Sequence, residues 1–301
     1  MKGLVMKSTG SWYDVLADDG HVYQSRIRGK IRLEEIKETN PVAVGDYVEL
    51  DTTESIITGI LPRENYIARK AVKKSGQWHV IAANIDQALI VVSLSFPRTS
   101  LGFIDRFTVS AEAFRIPQVI VFNKKDLLNE EELEYVNDLI ALYESLGVKC
   151  ILMSALYDDV DLKNIISKKK TLITGHSGSG KSTLVNKLSP SIHQKTSEVS
   201  GFSSKGIHTT TFAEMFDVGD NTYVIDTPGI KEMGMVDMKP EEVSDYFVEM
   251  RDLRLECRFG SRCLHVNEPG CAVKNAVEKG RIAIPRYESY LSIISGDDNR
   301  K

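Results

Sequence analysis

The tetrad Asn123-Lys124-Lys125-Asp126 stands before the glycine-rich run Gly175-His176-Ser177-Gly178-Ser179-Gly180-Lys181-Ser182-Thr183, and that order constrains the fold more than any other feature of the chain. The run follows the short segment Thr171 to Thr174 and leads into a helical pattern from Lys181 to Leu188, the strand-loop-helix setting that a phosphate loop requires. Its glycines let backbone N–H groups turn toward phosphate oxygens, and the helix N-terminus adds partial positive charge. Lys181 is placed to reach the β- and γ-phosphates and Ser182 to ligate Mg²⁺. Asp226, after a predicted strand at 222–225, would hold the same Mg²⁺ through water, and Gly229 would offer its N–H to the γ-phosphate. Within the threonine run 209–211, Thr210 is assigned to the magnesium shell.

Asp126 decides which base is read. A carboxylate accepts two hydrogen bonds from the ring N–H and exocyclic amine of guanine, and adenine offers no such pair. Asn123 would buttress the loop, Lys124 and Lys125 belong to the GTP-binding set, and the N–H of Ala155, in Ser154-Ala155, would approach the base carbonyl. The segment 119–122 reads as a buried strand and Glu130 onward as a helix, which gives the tetrad its structural context. Five nucleotide-site parts therefore occur in one rotated order: base reader, Ser154-Ala155, phosphate loop, threonine run and Asp226-Thr227-Pro228-Gly229. The sequence predicts a circularly permuted GTP-binding domain over 80–237. Its strands alternate with helices, as in a mostly parallel sheet with ligands at the strands' C-terminal ends.

The predicted fold class is multidomain α/β. Residues 1–66 show short β-rich runs separated by turn signals, as expected of an OB-type β-barrel, and 67–79 read as a linker. Arg26, Arg28, Lys30 and Arg32 alternate, so a strand over 24–32 would set all four cations on one face with no acid among them, a candidate RNA-backbone contact. Residues 238–301 form a third unit, predicted helical. Cys257, Cys263, His265 and Cys271 supply a Cys₃His set for one structural Zn²⁺, with no open position for catalysis. The alternatives are disulfides, disfavoured in a reducing compartment, and an accidental cluster. From Arg251 to Tyr287 there are eight Lys/Arg against four Asp/Glu, a second candidate RNA-facing surface, although the whole chain of 301 residues carries a net charge of −4. No apolar run is long enough for a membrane span, and the expectation is a cytoplasmic monomer.

The architecture of barrel, permuted GTPase domain and Cys₃His module resembles the bacterial small-subunit-dependent GTPase family of the RsgA or YjeQ type. The similarity covers essentially the whole chain and rests on NKKD at 123–126, GHSGSGKST at 175–183, KGIHTTT at 205–211, DTPGI at 226–230 and EPGC at 268–271. It implies binding of GTP and GDP, binding to the 30S subunit and its 16S rRNA in late maturation, ribosome-stimulated hydrolysis, nucleotide-controlled release, and traffic with other assembly factors. Cys257 and Cys263 are one residue further apart than the family pattern. Ile230 occupies the place where Ras-like proteins carry a water-orienting glutamine, so slow intrinsic turnover is expected. His208 is the candidate for that role. Two other classes fit the phosphate loop: a phosphotransferase, for which the tetrad would be accidental, and an RNA-associated switch with vestigial hydrolysis. A permuted GTPase of the large subunit is the nearer rival.

Overall fold

The computed structural model describes residues 1–28, 40–70, 78–188, 213–226 and 238–297. Lys30, Arg32, His208, Thr210, Gly229 and Ile230 lie outside the described residues. Five strands, β1 (Lys2–Ser8), β2 (Tyr13–Ala17), β3 (Val22–Ile27), β4 (Tyr47–Asp51) and β5 (Ile56–Ile60), close into a barrel. β1 pairs antiparallel with both β2 and β4, β2 with β3 and β4 with β5, while β3 and β5 run parallel. Alternation drives closure: Tyr13, Val15 and Ala17 are buried, Asp14 and Leu16 less so, and the inward residues meet Val5, Val48, Leu50 and Ile57 in one apolar interior.

Where the sequence suggested a linker over 67–79, its described part is paired strand. β6 (Tyr66–Lys70) and β7 (Trp78–Ala83) form an antiparallel ribbon. The polar stretch between them drew the linker reading, because two short strands without a repeated period look like irregular chain. The ribbon is also where the barrel is seated. Gly45 has φ +89°, and a Cβ there would fall 2.1 Å from the Ala83 carbonyl oxygen, so only glycine allows this approach. Ala83 N donates to Val44 O, Asn84 Nδ2 to Gly45 O, and Arg63 holds the buried Asp46 carboxylate through Nε at 2.7 Å and Nη2 at 2.8 Å.

The central domain contributes six strands in the order β10 (Lys149–Leu152), β9 (Gln118–Asn123), β8 (Gln87–Ser93), β11 (Lys170–Gly175), β13 (Thr222–Asp226), β12 (Glu214–Gly219), and the sheet continues into the barrel where β12 pairs antiparallel with β1 at Glu214 and Lys7. All neighbours run parallel except β12, antiparallel to β13. Every residue of β8 is buried, because helices cover both faces of a parallel sheet and leave no side for water. Those helices are α1 (Leu101–Ala113), α2 (Glu130–Ser145), α3 (Leu162–Ile166) and α4 (Lys181–Leu188). Ser100 caps α1 by accepting from Phe103 N, and Asn129 with Glu132 forms a reciprocal capping box on α2.

The C-terminal unit is helical, with helices Pro240–Val243, Val248–Arg251, Ala272–Glu278 and Ile284–Ser295. Phe247, Met250, Val273, Ala276, Ile282 and Tyr290 make a small core that Val109 of α1 completes. No helix among the described residues is long and apolar enough to cross a membrane.

Candidate functional site

The described parts of the permuted motifs lie at the C-terminal ends of β9, β10, β11 and β13, as the open-sheet rule requires. Asn123, the last residue of β9, is 4 % exposed and ties three of them together. Its Nδ2 donates to Ser179 O of the phosphate loop at 2.8 Å, and its Oδ1 accepts from Ala155 N at 2.7 Å. A buried amide carries one donor group and one acceptor, so both partners are needed to satisfy it. Lys124 follows in the left-handed region, φ +65°, which reverses the chain and sends its Nζ to Phe96 O at 3.0 Å. Lys125 N donates to Met153 O, and Lys125 Nζ approaches Asp158 Oδ2 at 3.3 Å. Asp158 Oδ2 also accepts from Ser154 N at 2.9 Å; that backbone bond, then Lys125, holds its carboxyl below the usual range. Asp126 sits exposed in the 3-10 turn Lys125–Leu127, at the lip of the loops so pinned.

The phosphate loop turns between β11 and α4. Ser179 N donates to His176 O, and Leu184 N to Gly180 O, so the helix begins at the loop's end. Lys181 forms an ion pair with Asp226 at the end of β13. The predicted phosphate-binding lysine and magnesium-binding carboxylate therefore meet at the mouth of the loop, with exposed Ser182 next in the chain. The His176 ring packs against Phe103 of α1, centroids 3.9 Å apart with the planes tilted by 35°. Gly180 has φ +94°, and a Cβ there would fall 2.1 Å from Asn123 Nδ2. Gly180→Ala combines left-handed backbone strain with expulsion of the amide that joins base reader to phosphate loop. The expected result is a loss of roughly 3 kcal/mol of nucleotide affinity, about 100-fold in Kd. Titration of a fluorescent GDP analogue checks it, and unchanged affinity would refute the role given to this contact.

The cysteine cluster is assembled as predicted. Cys257, Cys263, His265 and Cys271 are buried, and their ligand atoms lie within 4.8 Å of one another. Cys257 Sγ is 3.6 Å from His265 Nδ1 and 3.9 Å from Cys271 Sγ, and His265 Nδ1 is 3.4 Å from Cys271 Sγ. A tetrahedron with Zn–S ~2.3 Å and Zn–N ~2.05 Å has edges of about 3.5–3.8 Å, so the donor set fits a four-coordinate zinc ion. Between Cys257 and Cys263 the chain passes through the 3-10 turn Gly260–Arg262. Glu268 accepts from Leu264 N, Val266 N and Asn267 N and so fixes the loop that carries His265. Tyr290 Oη closes the loop on Leu264 O. Burial pushes the Cys263 thiol up to about 12 and raises that of Cys271.

These features recur together in known proteins. Residues 60–236 match the family described as RsgA GTPase, and residues 2–59 match the RsgA N-terminal domain. This chain belongs to the RsgA GTPase family. The relative from Christiangramia forsetii named small ribosomal subunit biogenesis GTPase RsgA is 50 % identical, over 99 % of this chain and 97 % of its own. One of the same name from Cytophaga hutchinsonii is 50 % identical over the whole of both chains. Among solved structures, YjeQ from Thermotoga maritima superposes with TM-score 0.77 at 33 % identity, covering 100 % of this chain and 99 % of that one. YloQ, described as a circularly permuted GTPase, gives 0.73 at 30 %, covering 100 % and 96 %.

On the RsgA-type barrel, the described half of the basic stripe is partly occupied. Arg26 and Arg28 are both exposed, Ile27 between them is partly buried and Ser25 before them is buried, as alternation demands. Arg26 stacks over the Trp12 ring at 3.8 Å, and Arg28 Nη2 pairs with Glu54 Oε2 at 3.1 Å. The expectation of a stripe free of acids is corrected at Arg28: the turn before β5 supplies one, a neighbour that local alternation cannot see.

Sequence reasoning missed a second buried cluster. Arg286, 3 % exposed, donates through Nη1 to Asp105 Oδ1 at 2.6 Å and through Nε to Glu249 Oε1 at 2.7 Å. Tyr143 Oη donates to Asp105 Oδ1 at 2.7 Å. Burial alone would lower the Arg286 pKa, but the two carboxylates more than offset it and the net shift is upward. The signal was available: Arg286, Ser289, Tyr290 and Ile293 keep i, i+3, i+4, i+7 spacing, so the arginine lies in a buried stripe.

Proposed function

We propose that this RsgA-family GTPase acts in small ribosomal subunit biogenesis, hydrolysing GTP to GDP and phosphate slowly alone and faster on the 30S subunit. The observation that carries the nucleotide reading is Asn123, whose side chain joins the base-reading tetrad, Ser154-Ala155 and the phosphate loop in one site. The names borne by the full-length relatives support the subunit reading.

In this reading Asp126 selects guanine, and the loop 175–180 wraps the phosphates with its N–H groups. Lys181 leaves Asp226 for the β- and γ-phosphates, and Thr183 joins the GTP-binding residues of the loop. Ser182, Thr210 and Asp226 would hold a Mg²⁺ ion, which when bound neutralises charge on the β- and γ-phosphate oxygens. Gly229 meets the γ-phosphate, and His208 orients water in place of the absent glutamine. One Zn²⁺ in the Cys257, Cys263, His265 and Cys271 cluster staples the C-terminal module. Arg26, Arg28, Lys30 and Arg32 contact the 16S rRNA backbone. The protein works as a cytoplasmic monomer, leaves the subunit after hydrolysis, and does so among other assembly factors.

GTP turnover at fixed enzyme, measured alone, with purified 30S subunits and with purified 50S subunits, tests the proposal. Stimulation by 30S subunits alone, on the order of 100-fold or more, is expected where a partner completes a GTPase site. Equal rates in all three mixtures would overturn it, and stimulation by 50S subunits alone would reassign the partner.

A further inference from the structure

Helix α1 is clasped from two sides. Asp105, Thr108, Val109 and Glu112 follow i, i+3, i+4, i+7 spacing, which puts them on one face of the helix. All four touch the C-terminal module. Asp105 Oδ1 and Thr108 Oγ1 accept from Arg286 Nη1 at 2.6 and 3.2 Å, Val109 belongs to the module's apolar core, and Glu112 ion-pairs with Arg251. Phe103 stands two residues before Asp105, about 200° round the helix axis. There its ring meets the His176 imidazole of the phosphate loop, 3.9 Å between centroids. The phosphate loop and the zinc module thus grip opposite sides of the same turn of helix.

Neither grip is loose. Phe103 is buried, and its N–H is bonded to the Ser100 cap. Arg286 is held between Asp105 and Glu249, with Tyr143 of α2 bonded to the same Asp105 oxygen. Loss of Arg286 would leave two buried carboxylates without a cation, so the groups it holds shift as a unit. Close-packed interiors transmit such a displacement instead of absorbing it.

We infer that Arg286 is a positioning residue of the nucleotide site: it fixes α1 through Asp105 and Thr108, and α1 fixes His176 and the phosphate-loop backbone through Phe103. Its consequence for turnover rests on the GTPase reading above, whereas the link itself does not. A partner that seizes the zinc module then moves the phosphate loop across one helical turn.

Arg286→Lys is the variant to make, because it keeps the charge that Asp105 and Glu249 require but lacks the fork that spans both. Amide exchange over 175–182, kcat and KM for GTP, zinc content and thermal melting are measured on the full chain. With zinc retained, exchange of the phosphate-loop amides is expected to rise about tenfold, and kcat to fall about tenfold with KM within about threefold. A structural role confined to the module would speed exchange within 238–297 only, and that result overturns the inference. The double variant Phe103→Leu/Arg286→Lys is expected to be no slower than its slower parent, since both cut one path; effects that multiply also overturn it. If Arg286→Lys loses its zinc, Asp105→Asn carries the same test with the same expected and overturning results. A chain whose phosphate loop loosens as stated but which turns over no GTP supports the link and refutes the proposed function. Unchanged loop exchange refutes the link whatever the turnover.

Discussion

Asp126→Asn is expected to weaken GTP binding by about 100-fold and to raise affinity for xanthosine triphosphate. The carboxylate presents two acceptors, matching the two donors on guanine's N1 and C2 edge. An amide presents one acceptor and one donor, so one charge-assisted hydrogen bond disappears and the NH₂ group faces the exocyclic amine. Each charge-assisted bond is worth about 1.5–3 kcal/mol, and two orders of magnitude correspond to about 2.8 kcal/mol. Xanthine carries a carbonyl at C2, which the new donor suits. The backbone that carries Asp126 is held by Lys125 N to Met153 O and by Asn123, neither of which the substitution touches. Competition titration with guanosine, adenosine and xanthosine triphosphates reads the result. Undiminished guanine preference in the variant would mean that another group reads the base, and the phosphotransferase alternative would regain its force.

The second large effect concerns the metal. Cys263→Ser is expected to release one equivalent of zinc per chain and to unfold the module while the barrel and sheet stay folded. Structural zinc binding contributes roughly 10–16 kcal/mol of apparent free energy in small domains, more than a core this size supplies. His265 lies in the left-handed region at φ +57°, and its loop is closed by Glu268 and by Tyr290 Oη on Leu264 O. Those bonds shape the loop and bring three thiols and one imidazole together as a Cys₃His donor set that fits a zinc ion. Amide exchange in the helix Ala272–Glu278 should accelerate by about 100-fold or more. Full protection there, with metal content near zero, would show that the module folds without zinc.

The nucleotide site was legible in the sequence because its parts are local: a loop between strand and helix, a tetrad after a strand, an aspartate at a strand end. Each places its own backbone, and the permutation leaves each spacing intact. The Cys₃His set was legible for the same reason, since four ligands within fifteen residues need little tertiary information. The basic stripe was less so. Arg26 and Arg28 do share a face, but Glu54 pairs with Arg28 from a turn on another strand. The ribbon of β6 and β7 escaped notice because strand pairing, not periodicity, defines it.

The sequence by itself determined which residues gather at the two candidate sites, the alternation of strands and helices around them, and the order barrel, GTPase domain, Cys₃His module. Only the tertiary structure decided how those units are joined. Gly45 lies against Ala83, Arg63 holds Asp46, and Arg286 reaches Asp105 across 181 positions of chain. Motifs are written in short-range spacing, where backbone geometry fixes which atoms meet. Burial of a charge beside a distant carboxylate has no short-range spacing to announce it, and is settled only when packing removes the water between them.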